Sequence, residues 1–168
     1  MSLDSFSNII NLDNILKGID KRTTIIRRNI PNKYSLSLLL KELNIIFYPI
    51  FDIIYLPQDY MNNSNLGFGF INFIQPLHII LFYNMHEGKK WNKYNNNKIC
   101  HLEYSNFQGK NNLIKYIYKK LNITNIDNND KLIKALYINN NKYYRSLFEI
   151  PIKFYNHFNN FFPYSLCH

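Results

Sequence analysis

Leu66-Gly67-Phe68-Gly69-Phe70-Ile71-Asn72-Phe73 is the stretch whose reading decides the fold. Side chains on a strand alternate between two faces, so Phe68, Phe70 and Asn72 share one side while Gly67, Gly69, Ile71 and Phe73 share the other. One face then belongs to a core and the other is an aromatic platform. Two phenylalanines held open to water are costly on an ordinary sheet, whereas nucleobases stacked on them recover about 1 to 3 kcal/mol each. The competing reading is a strand buried on both faces.

The segments on either side supply the rest of a sheet. Upstream, the polar turn formers of 58–65 connect to a strand over Phe51–Leu56, with Phe51, Ile54 and Leu56 inward and Ile53 and Tyr55 on the platform. Before it, Ser35 caps a helix reaching Phe47, with Leu36, Leu39, Leu40, Leu43 and Phe47 along one side and Pro49 marking the exit. Thr23–Ile30 is a β-branched strand that sends Ile26 and Arg28 to the platform and Ile25 and Arg27 inward. An inward Arg27 requires either snorkelling at the strand end or a different register.

Downstream, Gln75-Pro76 opens a second helix to about Met85, with Leu77, Ile80, Leu81 and Tyr83 toward the core. His78 and His86 have no second ligand in helical register. The loop Gly88-Lys89-Lys90-Trp91 joins two charges to the single tryptophan, whose expected role is to anchor the loop, with base stacking as the alternative. Lys98–Ser105 forms a last strand, with Cys100, Leu102 and Tyr104 inward and Ile99, His101, Glu103 and Ser105 on the platform. The order is strand, helix, strand, strand, helix, strand.

Residues 1–20 read as an N-terminal helical extension with a glycine stop at Gly18, and residues 21–120 as the domain with a following helix. In that helix Leu113, Ile117 and Leu121 form one apolar face. Residues 121–168 are an Asn-rich and aromatic extension, with a short helix expected over Lys131–Ile138. Its aromatic tail, Tyr143–His168, either folds back on the domain or meets a protein partner.

Lys plus Arg at 20 against Asp plus Glu at 11 leave a net charge of +9, which favours an anionic partner. An AT-rich coding sequence would raise Asn, Ile, Lys, Tyr and Phe by itself, so part of the basicity reflects mutational bias. Cys100 and Cys167 stand far apart without metal spacing, so no disulfide framework, metal site or cofactor is expected. Met1–Asp20 lacks a signal-peptide pattern, and the greasiest run, Leu43–Leu56, is broken by Pro49 and Asp52 and falls short of the roughly 20 residues of a membrane span. The expectation is a soluble intracellular protein, in the nucleus or cytoplasm, without membrane contact. There is no nucleophile elbow, P-loop, paired-carboxylate or metal spacing, so no enzyme is expected.

Seven of the eight positions of Leu66–Phe73 fit the signature octapeptide of RNA-recognition motifs, Leu66 standing where a basic residue is usual. Ile25–Ile30 resembles the second signature, with Ile26 where a stacking aromatic is common and Arg27 where an aliphatic residue is. Arg22-Thr-Thr-Ile-Ile, Asn29-Ile-Pro-Asn-Lys-Tyr34, Tyr55-Leu-Pro, Gly67–Asn72, Gly88-Lys-Lys-Trp91 and Phe107-Gln-Gly-Lys110 occur in the order of one family. Together they resemble the carboxy-terminal RNA-recognition motif of the Mei-two-like meiosis regulators, over about 22–117; weaker similarity continues at Tyr144–Phe148.

The resemblance implies an α+β, ferredoxin-like βαββαβ sandwich with a four-stranded antiparallel sheet and helical extensions at both ends. It also implies single-stranded RNA binding that steers transcripts in meiosis or differentiation. Phe68 and Phe70 become the stacking pair, with Ile26, Arg28, Tyr55, Asn72 and His101 beside them on the platform. Asn29 and Lys33 fall in the family loop after the first strand, and Lys89, Lys90, Gln108 and Lys110 border the sheet. The competing function is a protein-interaction module whose sheet is covered by its own helix or tail, favoured by apolar Ile26 and Leu66. Whether Phe68 and Phe70 are open to solvent separates the two.

Overall fold

The computed structural model describes residues 7–47, 50–59, 61–94, 96–121 and 136–138. In chain order the elements are α1 (Leu12–Leu16), β1 (Thr24–Arg28), α2 (Leu36–Phe47), β2 (Phe51–Tyr55), β3 (Gln58–Asp59), β4 (Ser64–Asn65), β5 (Phe68–Phe73), α3 (Leu77–His86), β6 (His101–Tyr104), α4 (Lys110–Leu121) and β7 (Leu136–Ile138). Local signals explain several ends. The Asn11 side chain accepts from the Asn14 amide at the start of α1, and Ser35 Oγ accepts from the Leu38 amide at the start of α2. Gly18, at φ +67°, takes the left-handed turn just past α1.

The main sheet runs β6-β1-β5-β2-β7, antiparallel throughout. Its first four strands with α2 and α3 are the expected α+β sandwich. Ile25, Ile54, Ile71, Phe73 and Leu102 pack inward with Leu39, Leu43, Ile79 and Phe82 from the helices. Phe51 and Ile54 both reach this core although three positions apart, because a register shift between Phe51 and Ile53 lets Asp52 out of the alternation.

Three details differ from the sequence reading. Leu77 is 54% exposed, and Ile79 and Phe82 turn fully inward instead, beside Ile80. Leu77 to Tyr83 is apolar almost all round, so periodicity alone does not pick the buried side. The helix expected over Lys131–Ile138 is contradicted at its end, where Leu136–Ile138 is a strand pairing antiparallel with β2. The free edge of β2 offers backbone groups that a Leu-Tyr-Ile segment satisfies better as a strand. Ser105 is buried rather than presented on the platform, its hydroxyl accepting from the Phe107 amide. The aromatic tail over 143–168, and with it the expected partner contact, lies outside the described residues.

Arg27 keeps the inward register and does not reach solvent: it is 4% exposed, with its guanidinium carbon 4.1 Å from the centre of the Trp91 ring. Trp91 is the expected anchor, buried and edge-on to Tyr34 at 5.1 Å. The Tyr34 hydroxyl donates to Glu42 and accepts from the Lys93 amide, and burial first, then Glu42, push its pKa up to about 12. The strings Asn29–Tyr34 and Gly88–Trp91 are thereby packed on each other.

Candidate nucleic-acid interface

Strand pairing sets the platform residues in cross-strand rows. His101, Arg28 and Phe68 stand side by side on β6, β1 and β5, and the next row is Glu103, Ile26, Phe70 and Tyr55 on β6, β1, β5 and β2. Thr24, Asn72 and Ile53 form a third. Gly69, between the two rings, is packed closely: a Cβ there would lie 3.2 Å from the Tyr55 carbonyl oxygen and 3.3 Å from Ile30 Cδ1.

The platform is not open along its length. The apolar face of α4 lies on it, and Leu113 and Ile117, both fully buried, join Ile53, Tyr55 and Phe70 in a second core. Phe70 is 4% exposed, its ring 6.0 Å from that of Tyr55 and 5.6 Å from that of Tyr116 on the helix. The two rings whose exposure separates the two readings therefore differ: Phe70 is covered, together with Tyr55, while Phe68 and Ile26 are half-buried at the margin. The cause is that the platform's own apolar surface gains most by meeting the apolar stripe of the next helix.

Two polar candidates are engaged internally. Asn72 is 3% exposed; its Oδ1 accepts from the Thr23 and Thr24 hydroxyls and its Nδ2 donates to Asp52. Gln108 clamps the backbone: its Oε1 accepts from the amides of Thr23 and Thr24, and its Nε2 donates to the carbonyls of Thr24 and Ser105. This fixes the entry to α4, where Lys110 is half-buried.

The β6 and β1 half remains accessible. Arg28 is exposed and its Nε donates to Glu103 at 2.7 Å, while exposed His101 has its Nδ1 2.9 Å from Glu87. Glu103 and Glu87 thus pair with the two polar side chains that stand in the row with Phe68. Asn29, at φ +61°, donates from Nδ2 to the Ile99 carbonyl. Lys33, Lys89 and Lys90 are exposed at the loops of this end, and Lys98, which sequence reasoning passed over, reaches Asn32 at 2.7 Å. The rows therefore bring Phe68, Arg28 and His101 together and withdraw Phe70, Tyr55 and Asn72.

Among the described residues no group of three His, Cys, Asp or Glu could hold a metal ion, and no helix is long and apolar enough to cross a membrane. His86, half-buried, stacks on Phe82 at 4.2 Å; burial first, then the Arg27 charge, bring its pKa down to about 3.

The sequence profile of RNA recognition motif 2 matches residues 22–118. Protein MEI2-like 2 of Oryza sativa subsp. japonica is 38% identical over 132 residues, 79% of this chain and 15% of that protein. Protein MEI2-like 3 of the same species is 45% identical over 107 residues, 64% of this chain and 11% of that protein. Meiosis protein mei2 of Schizosaccharomyces pombe is 40% identical over 108 residues, 64% of this chain and 14% of that protein. The matched region is thus 11 to 15% of the length of these relatives.

Proposed function

Since the chain belongs to the RNA recognition motif 2 family of the Mei2-like proteins, we propose that it binds single-stranded RNA and acts on transcripts during meiosis or differentiation. The observation that carries this reading is the row His101, Arg28 and Phe68 on three neighbouring strands at the uncovered end of the sheet. A base stacks on Phe68, Arg28 and His101 meet base edges or phosphate, and Lys33, Lys89 and Lys90 hold the backbone as it leaves. The role is one of binding, without catalysis or a cofactor, in the nucleus or cytoplasm where transcripts are handled.

Fluorescence-anisotropy titration of short labelled single-stranded RNA across a salt series tests it. Wild type binds with an affinity that falls as salt rises, and Phe68→Ala weakens binding by about 1 to 3 kcal/mol with the salt slope little changed. No saturable binding by wild type at low salt overturns the reading.

One observation favours a second reading, a protein-interaction module: α4 already occupies the surface over Phe70 and Tyr55. A wild type that leaves RNA free in the titration supports this alternative.

A further inference from the structure

We propose that the groove between Phe107 and the outer side of α4 is a second contact for the RNA strand, stacking one base on Phe107 and seating phosphates on Lys115, Lys119 and Lys120. This deepens the RNA-binding reading above and rests on it. The groove has a volume of about 700 Å³, and Asn112, Lys115, Tyr116 and Lys119 line it from the helix. Spacings of three and four residues place these side chains along one helical side.

Its aromatic wall is built in layers. Phe107 stacks on Tyr116 at 4.0 Å with 20° between the rings, and Tyr116 in turn rests 5.6 Å from Phe70. The stacking surface that the sheet withdraws at Phe70 is thus carried through Tyr116 to Phe107, which is 36% exposed. The Phe107 amide donates to Ser105 Oγ at 2.9 Å, and Gln108 beside it is held by the backbone of β1, so the ring is positioned before any ligand arrives. A flat base against the part of the ring exposed in the groove extends this aromatic stack.

The charge argument points the same way. Arg28 and His101, at the open end of the sheet, face Glu103 and Glu87. Lys115, Lys119 and Lys120 are exposed, and no carboxylate lines the groove among the described residues. Cations beside an exposed stacked ring match a polymer with a phosphate at every base; uncharged apolar ligands leave them unanswered.

The test uses the full chain and a short mixed-sequence single-stranded RNA, read by anisotropy across a salt series. Phe107→Leu weakens binding about 5- to 100-fold, and Phe107→Trp, which keeps a stacking ring, retains it. Changing Lys115, Lys119 and Lys120 to Gln together lowers the salt slope by about 2. Circular dichroism and thermal midpoints confirm that these exposed substitutions leave the fold intact. Groove variants that bind as wild type with the same salt slope, while Phe68→Ala is weakened, overturn the inference and leave the broader reading standing. A wild type that binds no RNA overturns both.

Discussion

The guanidinium of Arg27 lies over the Trp91 ring with a carbon-to-centroid distance of 4.1 Å, inside a core position of β1. Its Nε donates weakly to Cys100 Sγ at 3.4 Å, and its buried Nη1 has no hydrogen-bond partner among the described residues. A buried cation without a carboxylate is stabilised by aromatic faces but remains poorly solvated. Arg27→Met, which keeps the stem and removes the charge, is expected to lie within about 1 kcal/mol of wild type or above it. Arg27→Ala, which also removes the packing on Trp91, loses about 2 to 4 kcal/mol. Urea unfolding measures both; equal losses in the two variants would show that the charge itself is required.

Asn72 joins β5 to Thr23, Thr24 and Asp52 rather than facing solvent. Asn72→Ala removes the acceptor of the half-buried Thr23 and buried Thr24 hydroxyls and the donor to the half-buried Asp52 carboxylate, a loss of about 1 to 3 kcal/mol. RNA affinity of the folded fraction stays as in wild type. Titration well below the melting temperature checks this, and a selective loss of affinity in a fully folded variant would return Asn72 to the list of base readers.

Gly69 has the Tyr55 carbonyl 3.2 Å from where a Cβ would sit. Since that oxygen belongs to the β2 backbone, which gives less readily than a side chain, Gly69→Ala needs β2 to yield by a few tenths of an ångström, at about 1 to 3 kcal/mol. A lowered thermal midpoint is the expected readout, with an unchanged midpoint counting against the close approach.

His86 is neutral in the fold, its pKa brought to about 3 by burial and the Arg27 charge, against 6.5 ordinarily. The unfolded chain takes up a proton below about 6.5 that the folded chain refuses until about 3. Stability is therefore fullest above pH 6.5 and falls as pH drops through this window. His78, lowered in the same direction by burial, adds to the fall. Denaturant midpoints from pH 7 to pH 4 should decline, and His86→Phe, which keeps a ring on Phe82, should flatten the decline. A pH profile unchanged by that substitution would clear His86 of the effect.

The sheet was legible in the sequence because period-two alternation is a local property. Ile25 against Ile26, Phe68 against Ile71 and Ile53 against Ile54 all went to the expected sides. The Trp91 anchor also followed from composition, a large ring beside a short loop. What alternation could not give was the destination of α4. Leu113 and Ile117 announce an apolar stripe, but whether it meets the helical core or the platform depends on where the chain goes after β6. The occupation of Asn72 and Gln108 was hidden for a related reason: their partners, Thr23, Thr24 and Asp52 among them, are distant in sequence and near only after folding. The inward side of α3 was undetermined because nearly every residue from Leu77 to Tyr83 could have filled it.

The clamp of Gln108 before α4 and the pairing of β7 with β2 after it fasten the helix to the domain on both sides in sequence. If α4 lifts from Phe70 and Tyr55, it stays close to them, at an effective concentration on the order of millimolar. On the RNA-binding reading proposed above it is then a tethered competitor, and a strand entering beneath it would meet an affinity scaled down by the fraction of molecules in which the helix is away. That fraction is independent of protein concentration. It is set by how well Leu113 and Ile117 hold the sheet, so on that same reading substitutions away from the strand would tune how tightly the sheet takes it.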